Sequence, residues 1–271
     1  MSSTDLSLIV SPEQLETELN RPDLVLVDLC KPEVFAQAHL PRAVHLDYKQ
    51  IIGMQKPVMG LLPGADEFAA VLATIGATPD KYIVAYDDEG GGRAARFLWT
   101  LDVLGHQHFA LLDGGIHAWA AQGRPLTPES YIPAHGHYDV SYGEQGVADR
   151  AYILAHLDDP AVQLVDTRTP EEFSGAKKLA EHAGHIPGAV NFNWTDALDL
   201  NNQLLLRDLN QLRETFGDLG VTEEKEIIVY CQSHHRSAHT YILLKQLGYR
   251  RIRGYPGAWS DWGNQPDIPV E

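Results

Sequence analysis

Cys231 follows the apolar run Glu226–Tyr230 directly, and Gln232, Ser233, His234, His235, Arg236 and Ser237 come next, leading into a segment of helical character. A cysteine at the carboxyl end of a strand and just ahead of a helix is set up for nucleophilic chemistry. The intervening loop turns backbone N–H groups inward, and the helix N-terminus adds a partial positive charge. A thiolate at the centre is stabilised by both, and cysteine pKa values fall in such surroundings. Arg236 adds a permanent cation, and His234 and His235 add more when protonated. The pattern predicts a reactive thiolate at Cys231 that can also hold an anionic substrate, with Gln232, Ser233, His234, His235, Arg236 and Ser237 around it. The other cysteine, Cys30, adjoins "LVLVD" with only Lys31 nearby, and reads as one of the many cysteines that are small core residues. Adjacent histidines can bind metal, but a zinc site needs three or four donors and no second cluster is evident, so no metal is expected.

The elements that must position this loop emerge from the rest of the chain. Its 271 residues are 44% hydrophobic and 21% charged, which suffices for one large or two medium cores. No apolar window is long enough to span a bilayer, and "MSSTDLSLIVSPEQ" lacks the basic start and apolar centre of a signal peptide. A cytoplasmic protein without membrane contact is expected. Two distant cysteines signal neither a disulfide framework nor a zinc motif. A net charge of −16 argues against a nucleic-acid partner, because phosphate binding needs a positive surface.

The chain is written twice. "LVLVDLCKPEVF" (24–35) reads like "VQLVDTRTPEEF" (162–173), and "AHLPRAVHL" (38–46) like "GHIPGAVNF" (184–192). Further on, "YIVAYDDEGGGRAARFLWTLDVLG" (82–105) reads like "IIVYCQSHHRSAHTYILLKQLG" (227–248), and each copy closes on tryptophan, Trp119 in one and Trp259 and Trp262 in the other. Four matches in the same order indicate a duplication. The reading divides the chain into domains over 1–125 and 147–271, joined by a linker over 126–146 that is rich in Pro, Gly, Ser and His. This linker is expected to cross the outside of the first domain.

Within each copy, "LVLVD", "YIVAY", "VQLVD" and "EIIVY" are short apolar runs suited to strands buried on both faces. Ala94, Phe97, Leu98, Leu101 and Leu104 form a helical stripe after the second run, repeated less tidily by Ala238, Tyr241, Ile242 and Leu247. Thr169 offers a helix N-cap with Pro170 at the first helical position, whereas "KPEVF" keeps the proline without a comparable cap. Alternating strands and helices predict an α/β fold, a mainly parallel sheet with helices on both faces in each copy. Ligands bind beyond the carboxyl ends of such strands, which is where Cys231 stands.

The strand, cysteine loop and helix, the "GHIPGAVN" and "VDTRTPEEF" segments and the tandem layout together resemble the rhodanese family, over almost the whole chain. The resemblance implies two tandem rhodanese-like domains with the catalytic cysteine in the second only, and here Asp87 stands opposite Cys231. It implies a sulfurtransferase that needs no cofactor: Cys231 takes sulfur from an anionic donor as a persulfide and passes it to a thiophilic acceptor such as cyanide, a cellular thiol or a protein. Arg168 in "VDTR" matches an arginine that family members use on the donor anion, the alternative being an ion pair with Glu171 or Glu172. Asp166 and His185 recur as Asp28 and His39 in the copy without a nucleophile, which argues for structural hydrogen bonding. A monomer is expected, since paired domains can shield each other.

Donor identity is less legible. Family loops that prefer thiosulfate often read Cys-Arg-Lys-Gly-Val-Thr and those that prefer 3-mercaptopyruvate read Cys-Gly-Ser-Gly-Val-Thr; Cys231-Gln-Ser-His-His-Arg-Ser237 matches neither. The retained cation favours thiosulfate, a compact dianion. A cysteine phosphatase or arsenate reductase is the nearest rival, but its loop places arginine one residue further from the cysteine than Arg236 lies from Cys231. A non-catalytic binding module is a third reading, against which the retained Cys231 weighs.

Overall fold

The computed structural model describes residues 6–271; the first five residues of the segment read above for a leader lie outside it. The chain divides into two compact units. The first comprises Met1–Ile51, Pro63–Tyr142 and Asp199–Leu206; the second comprises Ile52–Leu62, Gly143–Leu198 and Arg207–Glu271. Each unit therefore includes a short segment whose sequence neighbours belong to the other, which boundaries drawn at 125 and 147 do not anticipate.

In the first unit a parallel sheet runs in the order Ile9–Val10, Phe109–Leu112, Tyr82–Tyr86, Leu24–Asp28, Ala43–His45. The second repeats it as Ile252–Gly254, Glu226–Tyr230, Val162–Asp166, Val190–Asn191, again parallel, with a bridge from Val147 to Gly254 standing where the first strand of the other sheet does. Both are α/β sheets flanked by helices. "LVLVD" and "YIVAY" are buried along their whole length, as β-branched and aromatic residues free of proline allow at the centre of a sheet. Their cores gather on Leu26, Tyr86 and Trp119 in one unit and on Ile228, Tyr230, Trp259 and Trp262 in the other.

The duplication extends to individual hydrogen bonds. Asp28 accepts from the backbone N–H of Cys30 at 2.7 Å, and Asp166 from that of Arg168 at 2.9 Å. The Nδ1–H groups of His39 and His185 donate to the carbonyls of Phe35 and Phe173, each ring stacked on its phenylalanine. Tyr86 and Tyr230 hydroxyls accept from Leu40 and Ile186 N–H, both at 3.1 Å. These repeated residues close turns and strand ends, in keeping with their presence in the copy that lacks a cysteine.

Helix starts follow the local code. Thr169 accepts from the N–H of Glu172, and the Glu172 carboxylate accepts from the N–H of Thr169, a reciprocal capping box with Pro170 at the first position. Lys31 makes no such side-chain bond. The apolar stripes read from the sequence understate two helices: Gly92–Val103 also buries Arg96, Trp99 and Thr100, and Arg236–Gln246 is buried from Ser237 through Leu244. A helix enclosed on nearly all sides has no polar face, so its periodicity is weak. The stretch 126–146 is largely irregular; it is tied to the first unit by paired backbone bonds between His39 and Thr127 and by Gly136 N–H to Ala73. Among the described residues no helix is long and apolar enough to cross a membrane.

Candidate active site

Cys231 follows the strand Glu226–Tyr230 directly, and the helix Arg236–Gln246 begins five residues after it. Between them the chain must reverse quickly, and His234 takes a left-handed φ of 54° to do so, a conformation that costs a non-glycine residue about 1 kcal/mol or more. The turn aims backbone N–H groups of Ser233 and Ser237 at the Cys231 sulfur. On the outside, Trp259 N–H donates to the Cys231 carbonyl and Ser260 N–H to the Gln232 carbonyl, both at 2.9 Å.

Cys231 is only 1% exposed. Burial pushes its pKa up, but the Arg236 charge, the Ser237 hydroxyl and the Ser237 and Ser233 N–H groups outweigh burial and bring it down to about 7. Cys30 shows the contrary case: burial and the adjacent Asp28 carboxylate push its thiol far up, so it stays an inert core residue.

Arg236 is held by a second residue. Its two terminal nitrogens donate to the two Glu172 oxygens at 2.7 and 3.0 Å, and it also hydrogen-bonds the sulfur. Burial opposes the guanidinium charge, yet Glu172 and Cys231 hold it firmly protonated. Glu172 feels the converse: burial raises its pKa, and Arg236 overrides that to bring it to about 2. The paired geometry fixes the guanidinium plane beside the thiolate.

His234 is fully buried and faces Ser237, its Nδ1 lying 2.8 Å from the hydroxyl oxygen. A hydroxyl carries one proton; with that proton on the thiolate, His234 must donate from Nδ1. The histidine thereby orients the serine. His235 is half-buried, its ring 6.4 Å from that of Trp194. Gln232 is half-buried and donates from Nε2 to the Leu179 carbonyl at 3.3 Å. One turn into the helix, His239 lies edge-on to Trp194, and burial brings its pKa to about 4, leaving it neutral.

Arg168 is placed differently from the rest. It is 1% exposed, donates to both Asp166 oxygens and to the Gly184 carbonyl, and lies 4.5 Å over the Trp259 ring. Its carboxylate partner is Asp166, not Glu171 or Glu172, because Glu172 is taken by Arg236. Cys231, Ser233, Arg236, Ser237 and, behind them, His234 thus form one cluster, while the Arg168 guanidinium is engaged at the neighbouring strand end. Sequence reasoning does not single out Trp194, and it names Glu172 only as an alternative partner of Arg168, not as the partner of Arg236. A capping box explains Glu172 locally, so nothing in the sequence signals its second partner.

The first unit contains the matching loop with Asp87 in the cysteine position, and there the cradle is filled. One Asp87 oxygen accepts from Glu89 and Gly91 N–H at 2.9 and 2.8 Å, the other from Arg93 and Ala94 N–H at 2.9 and 3.0 Å. Four backbone donors converge on one anion, which is what a strand–loop–helix turn of this shape does. With its carboxylate fully buried, this loop has no sulfur nucleophile.

Comparison with known proteins identifies the family. The model of the rhodanese-like domain matches twice, over residues 11–122 and 149–265. A thiosulfate sulfurtransferase of Pseudomonas aeruginosa is 42% identical over 268 residues, covering 99% of this chain and 98% of its own. One from Azotobacter vinelandii is 43% identical over 266 residues, covering 98% and 97%. Among solved structures, that of the 3-mercaptopyruvate sulfotransferase SseA from Escherichia coli superposes with a TM-score of 0.82 at 24% identity, over 93% of this chain and 99% of that one. With a domain match in each half and relatives alike along their full length, the chain belongs to the rhodanese family and carries two copies of its domain.

Proposed function

We propose that this enzyme is a sulfurtransferase that takes the outer sulfur of thiosulfate onto Cys231 and hands it to a thiophilic acceptor. The observation that carries the reading is a buried thiolate with a pKa of about 7, held by Arg236, Ser237 and two backbone N–H groups; the full-length thiosulfate sulfurtransferase relatives support the donor. The Cys231 sulfur attacks the outer sulfur of thiosulfate, a new S–S bond forms, the old one breaks, and sulfite leaves with the electron pair. The persulfide anion inherits the same donors, which need no rearrangement as charge moves from one sulfur to the next. Cyanide or a thiol then attacks the outer sulfur and returns the Cys231 thiolate. Two half-reactions through a covalent intermediate give ping-pong kinetics.

In this reading Arg236 stabilises both the thiolate and the approaching dianion, His234 orients Ser237, and Arg168 fixes the end of the neighbouring strand. His235 and Gln232, less buried than His234, are the loop residues best placed to meet a donor. Intact mass tests the scheme. Incubation with thiosulfate and removal of small molecules should add one sulfur atom, cyanide should remove it, and Cys231→Ala should show neither change. No gain with thiosulfate, but gain with 3-mercaptopyruvate, would reassign the donor. Cys231-dependent hydrolysis of an aryl phosphate without sulfur uptake would overturn the reading in favour of a phosphatase.

A further inference from the structure

The hairpin Gly53–Gln55 and Val58–Leu61 lies in the first copy of the sequence but belongs to the second unit. It meets the cysteine loop at Gly60, which is buried and left-handed, with φ 77°. A Cβ at this position would stand 1.9 Å from the Ser233 carbonyl oxygen and 2.7 Å from its carbon. Only glycine lets backbone approach backbone this closely. The preceding residue is anchored as well: Met59 N–H donates to the Ser260 hydroxyl oxygen at 2.9 Å, and that hydroxyl lies 3.3 Å from the Met59 carbonyl.

Ser260 grips the loop itself, since its own N–H donates to the Gln232 carbonyl. That carbonyl and the Ser233 N–H belong to one peptide unit, and in a planar trans peptide the two point in opposite directions. Tying the Gln232 carbonyl to Ser260 therefore aims the Ser233 N–H the other way, towards the Cys231 sulfur. Gly60 closes on the next carbonyl along, that of Ser233, so both successive peptides have a close neighbour.

We propose that Gly60 and Ser260 are positioning residues for the sulfur-carrying cysteine: through them the hairpin of the first sequence copy locks the Gln232–Ser233 peptide with its N–H on the Cys231 sulfur. The inference rests on Cys231 being the reactive thiolate of the proposed sulfurtransferase. It gives the first copy a part in the chemistry although its own loop holds Asp87. The charged and titratable groups about the loop include Arg236 with its partner Glu172, His234 and His235 in the loop, His239 on the helix, the Asp166–Arg168 pair at the neighbouring strand end, and Lys178 and Glu181, which line a pocket with Met59, Gln232 and Ser260. The hairpin's own charged residue, Lys56, is exposed at its turn, and substitutions at Gly60 and Ser260 that add or remove no charge reach the sulfur through the peptide.

Alkylation of Cys231 by iodoacetamide, followed by intact mass across pH in the full chain, reads thiolate formation without any sulfur donor. Gly60→Ala should move the midpoint upward and slow alkylation at about pH 6 by about tenfold, the weight of one hydrogen bond to a charged group. Ser260→Ala, which loosens the hairpin but keeps the N–H to Gln232, should shift it the same way by about threefold. Met54→Ala, at an exposed hairpin position, should alkylate like the parent, and circular dichroism should show all variants folded. A folded Gly60→Ala with the parental profile overturns the proposal. Where Gly60→Ala does not fold, Ser260→Ala decides, an unchanged profile overturning it and an upward shift supporting it. A parent that alkylates with a low midpoint yet takes no sulfur from thiosulfate would sink the donor assignment and leave this positioning role standing.

Discussion

Removing the Arg236 charge should return Cys231 to an ordinary thiol or beyond. The thiol stands at about 7 against an ordinary 9.0 because Arg236 leads the groups that offset its burial. Losing a shift of that size costs about 2.7 kcal/mol of thiolate stabilisation, and the thiolate fraction at neutral pH falls from about one half to about one in a hundred. Arg236→Met alone would also leave Glu172, which is 2% exposed, as an unpaired buried charge, a loss of about 3 to 5 kcal/mol of fold stability. The clean perturbation is therefore Arg236→Met with Glu172→Gln, which removes both charges together. Iodoacetamide alkylation against pH and the rate of sulfur uptake from thiosulfate are the assays. Both should fall about a hundredfold at pH 6 in the double variant, whose melting temperature should stay closer to the parent than that of Arg236→Met. A double variant that is folded and still alkylates with a midpoint near 7 would refute the electrostatic account and leave the backbone N–H groups as the sole cause.

Ser237→Ala removes one donor to the thiolate and should raise the alkylation midpoint by about one unit; an equal shift in His234→Phe would support the histidine as the group that orients the hydroxyl. Asp87→Ala strips four backbone N–H groups of their acceptor and should cost about 3 to 5 kcal/mol in urea unfolding, with an unchanged midpoint contradicting the filled cradle. Glu172 is held near 2 when folded against 4.5 when free, a depressed carboxyl. Its contribution of about 3 kcal/mol is therefore present above pH 4.5 and lost as pH falls through 2. In acid unfolding, parent and Glu172→Gln should converge over that window, and parallel curves would speak against the pairing.

The features written locally were legible in the chain. Strand runs such as "LVLVD" and "EIIVY", the Thr169–Pro170 helix start and the order of the two copies each depend on residues within a few positions of one another, and the structure repeats them down to paired Tyr86 and Tyr230 hydrogen bonds. Cys231 and Arg236 were legible for the same reason, because strand, loop and helix succeed one another without interruption. The helix Arg236–Gln246 was harder to read, since burial on nearly every side erased the period that betrays a surface helix.

What the chain order could not express was partnership at a distance. Arg168 had several acidic neighbours to choose from and Arg236 had none nearby in the chain, and only the packing of the helix that carries Glu172 against the loop decided that Arg236 takes Glu172 while Arg168 turns back on Asp166. The exchange of Ile52–Leu62 and Asp199–Leu206 between the units is likewise invisible to a reading by copies. Gly60 looks like any turn glycine until the Ser233 carbonyl is found against it. The sequence by itself determined the duplicated α/β fold and the strand–loop–helix that sets Cys231 beside Arg236, because those lie along the chain. Tertiary structure alone decided which charge each arginine meets and which peptide holds the sulfur, because such contacts depend on atoms brought together from segments far apart.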